Sequence, residues 1–274
     1  MSQSRRPGPT VRARVVEFKG ATRLEHEDRL GTEEPLEIRV ESPGEPARRL
    51  AVTMRTPGHD FELAVGWLVH EGITRPSEVA AVRYCTDVEL TALEEFNVVT
   101  VALISAPSRL PAARLVSSAC GVCGAEAVTD VLARAEAIPD VVVPLEVLRR
   151  LPELLREEQA GFARTGGLHA AGLFEEDGSR VVVREDVGRH NAVDKVCGSR
   201  MLSSASVPPV LVLSGRIGFE LVQKAVVSRV AVVVAVGAPS SLAVRLAAET
   251  GLTLVGFTRP DRCVAYAGEQ RIGV

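Results

Sequence analysis

The sequence has few aromatic residues and no large excess of charge of either sign. Aromatic residues make up 4% of its 274 positions, whereas 46% are hydrophobic, enough apolar side chains for a sizeable core. The formal net charge is −3, so the chain lacks the basic surface that proteins use to bind duplex nucleic acid. We therefore expect no nucleic-acid partner, and any anion that binds must be held by local groups.

Long hydrophobic segments are also missing. The longest apolar run, residues 230–238, has the length of a strand and falls short of the roughly 20 residues that span a bilayer. Residues 1–14 contain Arg and Pro with no apolar region after them, which is not the pattern of a secretory signal. These features predict a cytoplasmic protein with no membrane partner.

Cysteine is sparse, and only one close pair occurs, Cys120-Gly121-Val122-Cys123. Structural zinc normally takes two such pairs, and no His lies at finger spacing, so we expect no resident metal. Three interpretations remain: a redox dithiol, a low-pKa sulfur nucleophile before a helix expected at 125–137, or two buried thiols. The isolated residues Cys85, Cys197 and Cys263 are interpreted as ordinary.

Composition and pattern divide the chain into three parts. Residues 1–11 are polar and are expected to form a disordered tail. Residues 12–140 contain short β-prone runs and a helix near residue 61, and form a smaller, β-rich N-terminal α+β part that carries the Cys120–Cys123 segment. Residues 141–274 are more regular and form the second domain.

In the second domain the pattern predicts a helix (144–159), a hairpin (167–184), a helix (190–202) and an alternation of strands and helices over 210–257. Continuous Val and Leu runs are typical of parallel strands that are covered by helices on both faces. We therefore predict an α/β fold with a mixed sheet and a C-terminal βαβαβ unit of parallel strands.

Parallel strands place their carboxyl ends at one edge of a sheet, so three polar turns should meet there. The candidate binding residues in these turns are Ser214, Gly215 and Arg216, then Gly237 and Ser240, then Phe257, Thr258, Arg259, Pro260, Asp261 and Arg262. Free backbone N–H groups at helix starts and the arginines suit a phosphate-bearing ligand.

A second polar cluster, residues 184–195, lies between a strand and a helix. It could form a polar pocket with His190 or Lys195 as donors, or a solvated helix cap with Asp194 and Lys195 facing water. The sequence leaves both open. His169 is interpreted as an ordinary core or surface histidine, as are His26, His59 and His70.

The order of elements in the second domain resembles the cytidine-deaminase-like α/β/α fold. Zinc deaminases place H-x-E and P-C-x-x-C at two helix starts. Here the corresponding positions read His190-Asn191-Ala192 and Ser214-Gly215-Arg216, so the metal ligands are absent. The resemblance therefore concerns the scaffold and not the chemistry.

Several motifs together resemble the FdhD family of sulfurtransferases accessory to formate dehydrogenase. The matching segments are residues 56–60, 62–64, 120–124, 165–170, 185–195, 214–216 and 256–259. Their order and spacing make the resemblance specific, and it covers nearly the whole chain after Arg12.

The resemblance implies a cytoplasmic sulfur carrier that forms a homodimer. Such a protein takes sulfur from a cysteine desulfurase and delivers it to the molybdenum or tungsten bis(pterin guanine dinucleotide) cofactor, Mo-bis(molybdopterin guanine dinucleotide) in the molybdenum case, that formate dehydrogenase requires.

By the same resemblance, Cys120 carries the persulfide and Cys123 is an auxiliary catalytic thiol. Residues 257–262 match the family's cofactor-binding segment, and the turns at 214–216 and 237–240 would hold the guanine nucleotide arms, so that a guanine nucleotide should mimic the cofactor. Two alternatives stay open: a thiol–disulfide oxidoreductase that cycles through a Cys120–Cys123 disulfide, and a non-catalytic chaperone that binds the nucleotide or cofactor.

Overall fold

A computed structural model describes residues 8–85, 96–107, 114–115, 129, 131–132 and 135–274. Cys120, Cys123 and most of the helix expected at 125–137 lie outside these residues. None of the described helices combines the length and apolar character that a membrane crossing requires.

The N-terminal part contains a hairpin and a five-stranded sheet. The hairpin pairs β1 (Thr10–Lys19) with β2 (Thr22–Gly31), and most of its side chains are exposed. The sheet has the order β5-β6-β3-β4-β7. Its strands are β3 (Glu34–Ser42), β4 (Glu45–Arg55), β5 (Val79–Tyr84), β6 (Val98–Leu103) and β7 (Arg114–Leu115).

One helix, α1 (Asp60–His70), follows β4, and a short 3-10 turn (Pro76–Glu78) precedes β5. The helix begins after Gly58 and His59, both in the left-handed region, with φ of 114° and 59°. Its buried residues include Leu63, Trp67 and Leu68, which follow the helical period seen in the sequence.

The C-terminal part is built on a six-stranded sheet of order β10-β9-β11-β12-β13-β14. The strands are β9 (His169–Phe174), β10 (Arg180–Asp186), β11 (Val210–Leu213), β12 (Val232–Ala235), β13 (Thr253–Arg259) and β14 (Arg262–Ala267). The pairs β11–β12 and β12–β13 are parallel, which confirms the predicted βαβαβ unit, and the other pairs are antiparallel. A short parallel pair joins β8 (Val143–Pro144) to β15 (Ile272–Gly273), after a 3-10 turn (Glu269–Arg271).

Helices cover both faces of this sheet. One face packs against α2 (Leu145–Glu157) through Leu148, Leu151 and Leu155; α3 (Ala160–Thr165) follows directly. The opposite face packs against α4 (Arg189–Leu202), α5 (Phe219–Val227) and α6 (Ser241–Thr250). Alternate residues of each strand enter the two cores, as the pleat requires: Val210 and Val212 face α2, while Leu211 and Leu213 face the other helices. The predicted α/β class is confirmed.

Candidate functional site

A pocket of about 500 Å³ lies at the carboxyl edge of the parallel strands, on the side of α2 and α3. Four of the predicted binding residues line it: Ser214, Thr258, Arg259 and Pro260. The remaining walls come from α2, α3 and the segment that leads into β9. A cavity of this size suits a small ligand such as a nucleotide, and the strand ends of an open α/β sheet are where such ligands bind.

The end of β13 supplies a buried hydroxyl without a partner. Phe257 has a φ of 49°, an uncommon conformation for an aromatic residue, and the pairing with β14 is irregular between Gly256 and Arg259. Phe257 is left 41% exposed, whereas Thr258 is fully buried. Within the described residues, Oγ1 of Thr258 has no hydrogen-bond partner. An unsatisfied buried hydroxyl is costly, so its presence in the pocket wall points to a ligand atom as its partner.

Arg259 is fixed in place by two backbone carbonyls. Its Nη1 donates to the oxygen of Val236 at 3.1 Å and to the oxygen of Thr258 at 2.8 Å. Its Nε and Nη2 groups make no hydrogen bond with the residues that the structure describes, so they can donate to an anion. Asp261 and Arg262 are exposed beyond this point, and neither lines the pocket.

The turns after β11 and β12 are in direct backbone contact. A Cβ atom on Gly237 would lie 2.8 Å from the oxygen of Gly215. The N–H of Gly237 donates to that oxygen at 3.2 Å, and the N–H of Ser240 donates to the oxygen of Ile217 at 2.9 Å. The Ser240 hydroxyl accepts from Ala243 and caps α6. Contrary to the expectation from sequence, the amides of Gly237 and Ser240 are therefore not free to face an anion.

His169 begins β9 and lines the pocket, although its sequence context indicated an ordinary residue. Its ring lies against Gly215, where a Cβ atom would be 3.3 Å from Nδ1. Burial lowers the pKa of His169, and the charges of Arg189 and His190 lower it further, against an opposing effect of Asp186. The imidazole is therefore neutral at neutral pH and offers one donor and one acceptor.

The wall opposite the strand ends comes from α2 and α3. Gln159, between these helices, is 5% exposed and lines the pocket together with Phe162 and Arg156. The guanidinium of Arg156 lies 4.1 Å from the centre of the Phe162 ring. This wall was not predicted. One signal was available, because Gln159 continues the spacing of Leu151 and Leu155 and so places an amide where the pattern calls for an apolar side chain.

Two predicted residues point elsewhere. His190 pairs with Glu220 through Nε2 and Oε2 at 2.9 Å, and its position near His169 affects the pKa of that ring. Arg216 is exposed and does not line the pocket. Gly215 contributes through its contact with His169.

The polar cluster of residues 184–195 forms a buried polar interface between the N-terminal and C-terminal parts of the molecule. Asp186 accepts from the backbone N–H of Thr56 at 3.1 Å and pairs with Lys195 at 2.6 Å. Lys195 Nζ also donates to the oxygen of Thr56 at 2.9 Å, and Asn191 donates to that of Met54 at 2.8 Å. Lys195 is 1% exposed, so the interpretation as a solvated cap is wrong.

A second buried hydrogen-bond network connects α1 with α4 and α5. Asp194 accepts from Lys224 at 2.6 Å and lies 2.5 Å from Nδ1 of His70, whose Nε2 is 2.8 Å from the hydroxyl of Ser228. Burial alone would raise the pKa of Asp194, but Lys224 and His70 outweigh it and hold that pKa below its ordinary value. Because these groups satisfy one another, we assign them a structural role.

In the described part of the chain, no three His, Cys, Asp or Glu side chains lie close enough together to hold a metal ion. Cys85 and Cys197 are buried and Cys263 is partly buried. Burial raises the pKa of the Cys197 thiol to about 12. Cys197 is therefore a poor nucleophile.

Comparison with known proteins gives one consistent result. Residues 31–273 match the model of the FdhD/NarQ family. The chain is 47% identical to the sulfur carrier protein FdhD of Streptomyces coelicolor, over 97% of this chain and 96% of that protein. It is 44% identical to the sulfur carrier protein FdhD of Nocardia farcinica, over 96% of this chain and 95% of that protein.

The fold is similar to a crystal structure of a formate dehydrogenase accessory protein from Desulfotalea psychrophila. The TM-score is 0.78 at 23% identity, and the superposition covers 96% of this chain and 99% of that one. At this identity the similarity concerns the fold.

Proposed function

Since the chain belongs to the FdhD/NarQ family, we propose that it is a sulfurtransferase that carries sulfur from a cysteine desulfurase to the bis(pterin guanine dinucleotide) cofactor of a formate dehydrogenase. The names of its relatives, sulfur carrier proteins, support the carrier role. The observation that carries the proposal is the pocket at the strand ends, where the unpartnered hydroxyl of Thr258 lies in the segment expected to bind the cofactor.

Sulfur acceptance is assigned to Cys120. Its thiolate attacks the outer sulfur of the desulfurase persulfide, the sulfur–sulfur bond of the donor breaks, and the donor cysteine leaves as a thiolate. The product is a persulfide on Cys120. Cys123 is an auxiliary thiol in this scheme, and Cys197, with its raised pKa, takes no part.

The cofactor is the substrate, and the pocket fits one of its nucleotide arms. About 500 Å³ holds a nucleotide but not the whole bis(pterin) molecule. The N–H groups of Arg259 and the hydroxyls of Thr258 and Ser214 suit phosphate oxygens, and these groups need no net positive surface. The other residues of the proposed segment are Phe257, Pro260, Asp261 and Arg262, of which Pro260 lines the pocket.

A homodimer and a cytoplasmic location are part of the same proposal. The hairpin of β1 and β2 supports the dimer, because it exposes five large apolar side chains: Val11, Val16, Phe18, Leu24 and Leu30. An isolated two-stranded hairpin is marginal in water, so a second copy that covers it would stabilise it.

Incubation with a cysteine desulfurase and cysteine, followed by intact-mass measurement and peptide mapping, tests sulfur acceptance. We expect one added sulfur on the peptide that contains Cys120, no addition in Cys120→Ala, and normal addition in the matched control Cys263→Ala. A disulfide between Cys120 and Cys123 as the turnover form would favour an oxidoreductase. Full formate dehydrogenase activity with Cys120→Ala would favour a chaperone. Either result would overturn the proposal.

A further inference from the structure

One wall of the pocket comes from a segment that is too short to be stable by itself. Residues 160–168, which comprise α3 and the residues up to β9, are called the α3 segment, and its Phe162 and Leu168 line the pocket. Helices of six residues are unstable in isolation. Within the described structure, Gln159, the residue before α3, does not cap it through its side chain. Contacts with other elements must therefore hold this wall in place.

Glu185 of β10 provides the missing cap. Its Oε2 accepts from the N–H of Gly161 and its Oε1 from the N–H of Phe162, both at 2.7 Å. These are the second and third amides of α3, which a capping side chain normally satisfies, and a carboxylate there also interacts favourably with the helix dipole. Glu185 is not among the described residues that line the pocket. It therefore contacts the wall without lining the pocket.

Close packing connects the carboxylate of Glu185 to the pocket surface. A Cβ atom on Gly161 would lie 2.8 Å from Oε2 of Glu185 and 2.6 Å from Cδ1 of Leu168. On the other side of Leu168, a Cβ atom on Gly31 would lie 2.7 Å from Cδ2. Leu168 is thus packed tightly between two glycines, so a displacement of α3 also displaces a side chain that lines the pocket.

The neighbouring carboxylate, Asp186, faces the opposite side of the sheet. The register pairs Glu185 with Ala170, whose side chain lies in the core on the α2 side, and side chains alternate along a strand. Asp186 therefore points toward α4, where it pairs with Lys195, and Nζ of Lys195 also donates to the backbone oxygen of Glu185 at 3.4 Å. This buried interface fixes the end of β10, from which the Glu185 carboxylate holds α3.

We infer that Glu185 is a positioning residue for the nucleotide pocket: its carboxylate holds α3 so that Phe162 and Leu168 form the wall against which the nucleotide binds. This rests on the proposed function, because it concerns the same pocket. Without the carboxylate, α3 also occupies other positions, and only a fraction of the molecules present the wall. The apparent affinity for the nucleotide then falls by that fraction.

Titration calorimetry with GDP tests this role in Glu185→Gln. Glutamine has the length of glutamate but only one acceptor oxygen, so one amide of α3 loses its partner and faces an NH2 group. Because a hydrogen bond to a charged group changes an equilibrium by about tenfold or more, we expect GDP binding to weaken about tenfold. The matched control Glu157→Gln, an exposed position of α2 outside the pocket lining, should bind GDP normally.

Two further variants separate positioning from a general loss of stability. Ser228→Ala removes the hydroxyl that lies 2.8 Å from Nε2 of His70, and neither residue is among those described as lining the pocket. It should lower the free energy of unfolding, measured with denaturant, and leave GDP affinity unchanged. Gly161→Ala disturbs the contact from the side of α3 and retains the carboxylate, and it should weaken GDP binding as Glu185→Gln does.

Hydrogen–deuterium exchange of α3 gives a readout of its position in the folded protein. GDP should slow exchange at residues 160–166 of the unsubstituted protein, and Glu185→Gln should speed it in the absence of GDP. Normal GDP affinity in Glu185→Gln or Gly161→Ala, or equal weakening by Ser228→Ala, would overturn the inference and leave the nucleotide site intact. Failure of the unsubstituted protein to bind GDP would overturn the proposed site itself.

Discussion

Gly66 of α1 and Gly198 of α4 face each other where the two helices cross. A Cβ atom on Gly66 would lie 2.0 Å from the oxygen of Asp194, and one on Gly198 would lie 1.9 Å from the oxygen of Glu62. These are backbone atoms and cannot move aside without separating the helices. The contact brings α1 close enough to α4 for His70 to reach Asp194. The packing of the N-terminal part against the C-terminal part therefore depends on these two glycines.

Substituting either glycine with alanine should therefore destabilise the protein severely. We expect Gly198→Ala to lower the free energy of unfolding by about 3 kcal/mol or more, because overpacking against backbone cannot relax. Denaturant unfolding measures this. Gly167→Ala is the matched control, since its Cβ would meet only the oxygen of Thr165 at 3.9 Å. Equal stability of the two variants would contradict the packing described here.

Stability should fall at acid pH through Glu62, which forms a bidentate pair with Arg184 at 2.6 and 2.7 Å. Burial raises the pKa of Glu62, but hydrogen bonds from Arg184 and His59 outweigh it and bring the pKa to about 2 from an ordinary 4.5. The unfolded chain takes up this proton first. The stabilisation is therefore complete above pH 4.5 and is lost between pH 4.5 and 2.

The loss attributable to this group is on the order of 2 kcal/mol. In Glu62→Gln, unfolding should cost less free energy at neutral pH and should depend less on pH in the acid range. Glu249→Gln, which breaks the exposed pair with Arg245, should leave the pH profile unchanged. Parallel acid profiles for Glu62→Gln and the unsubstituted protein would argue against this pairing.

Much of the fold follows from local sequence pattern. The Leu spacing that predicts a helix over 144–159 agrees with α2, and the Val-rich runs agree with β11, β12 and β13. By contrast, β2 was not predicted, because its sequence, Thr22–Gly31, is dominated by charged residues with low strand propensity. The six-residue helix α3 was also missed, since it is too short for its period to show.

Part of the candidate site could likewise be predicted from the sequence, and part could not. Ser214, Thr258 and Arg259 could be grouped from sequence because parallel strands end at one edge. Gln159 and Phe162 could not be grouped with them, since their position depends on how α2 crosses the sheet. Asp194 is buried against His70 of α1 and Lys195 against Thr56, which follows β4, and no local pattern connects these distant residues to them.

Thiol reactivity should distinguish the buried Cys197 from the more accessible Cys263. Cys197 is fully buried and its pKa is raised to about 12, so it should resist iodoacetamide in the native protein. Cys263, which is partly buried, should react faster. Mass spectrometry of labelled peptides before and after denaturation measures this, and native labelling of Cys197 at the rate of Cys263 would contradict its burial.

The proposed dimer can be tested on one face of the hairpin. The register pairs Val11 with Leu30, and Leu24 projects to the same face because side chains alternate along a strand. We expect Leu24→Glu combined with Leu30→Glu to convert a dimer to a monomer in analytical ultracentrifugation. Val16→Glu removes an apolar side chain from the opposite face and is the control. A dimer that survives the double substitution would exclude this face as the interface.

Thr258→Val should have opposite effects on stability and on binding. The substitution keeps the shape of the side chain and removes the hydroxyl that lacks a partner within the described residues. Burying an unsatisfied hydroxyl costs about 1 to 3 kcal/mol, so the variant should unfold at the same or a higher temperature. Binding of GDP should nevertheless weaken, because the ligand loses its hydrogen bond.

Thermal unfolding with and without GDP measures both effects. A variant that is less stable and binds GDP normally would show that the hydroxyl serves the fold and not a ligand.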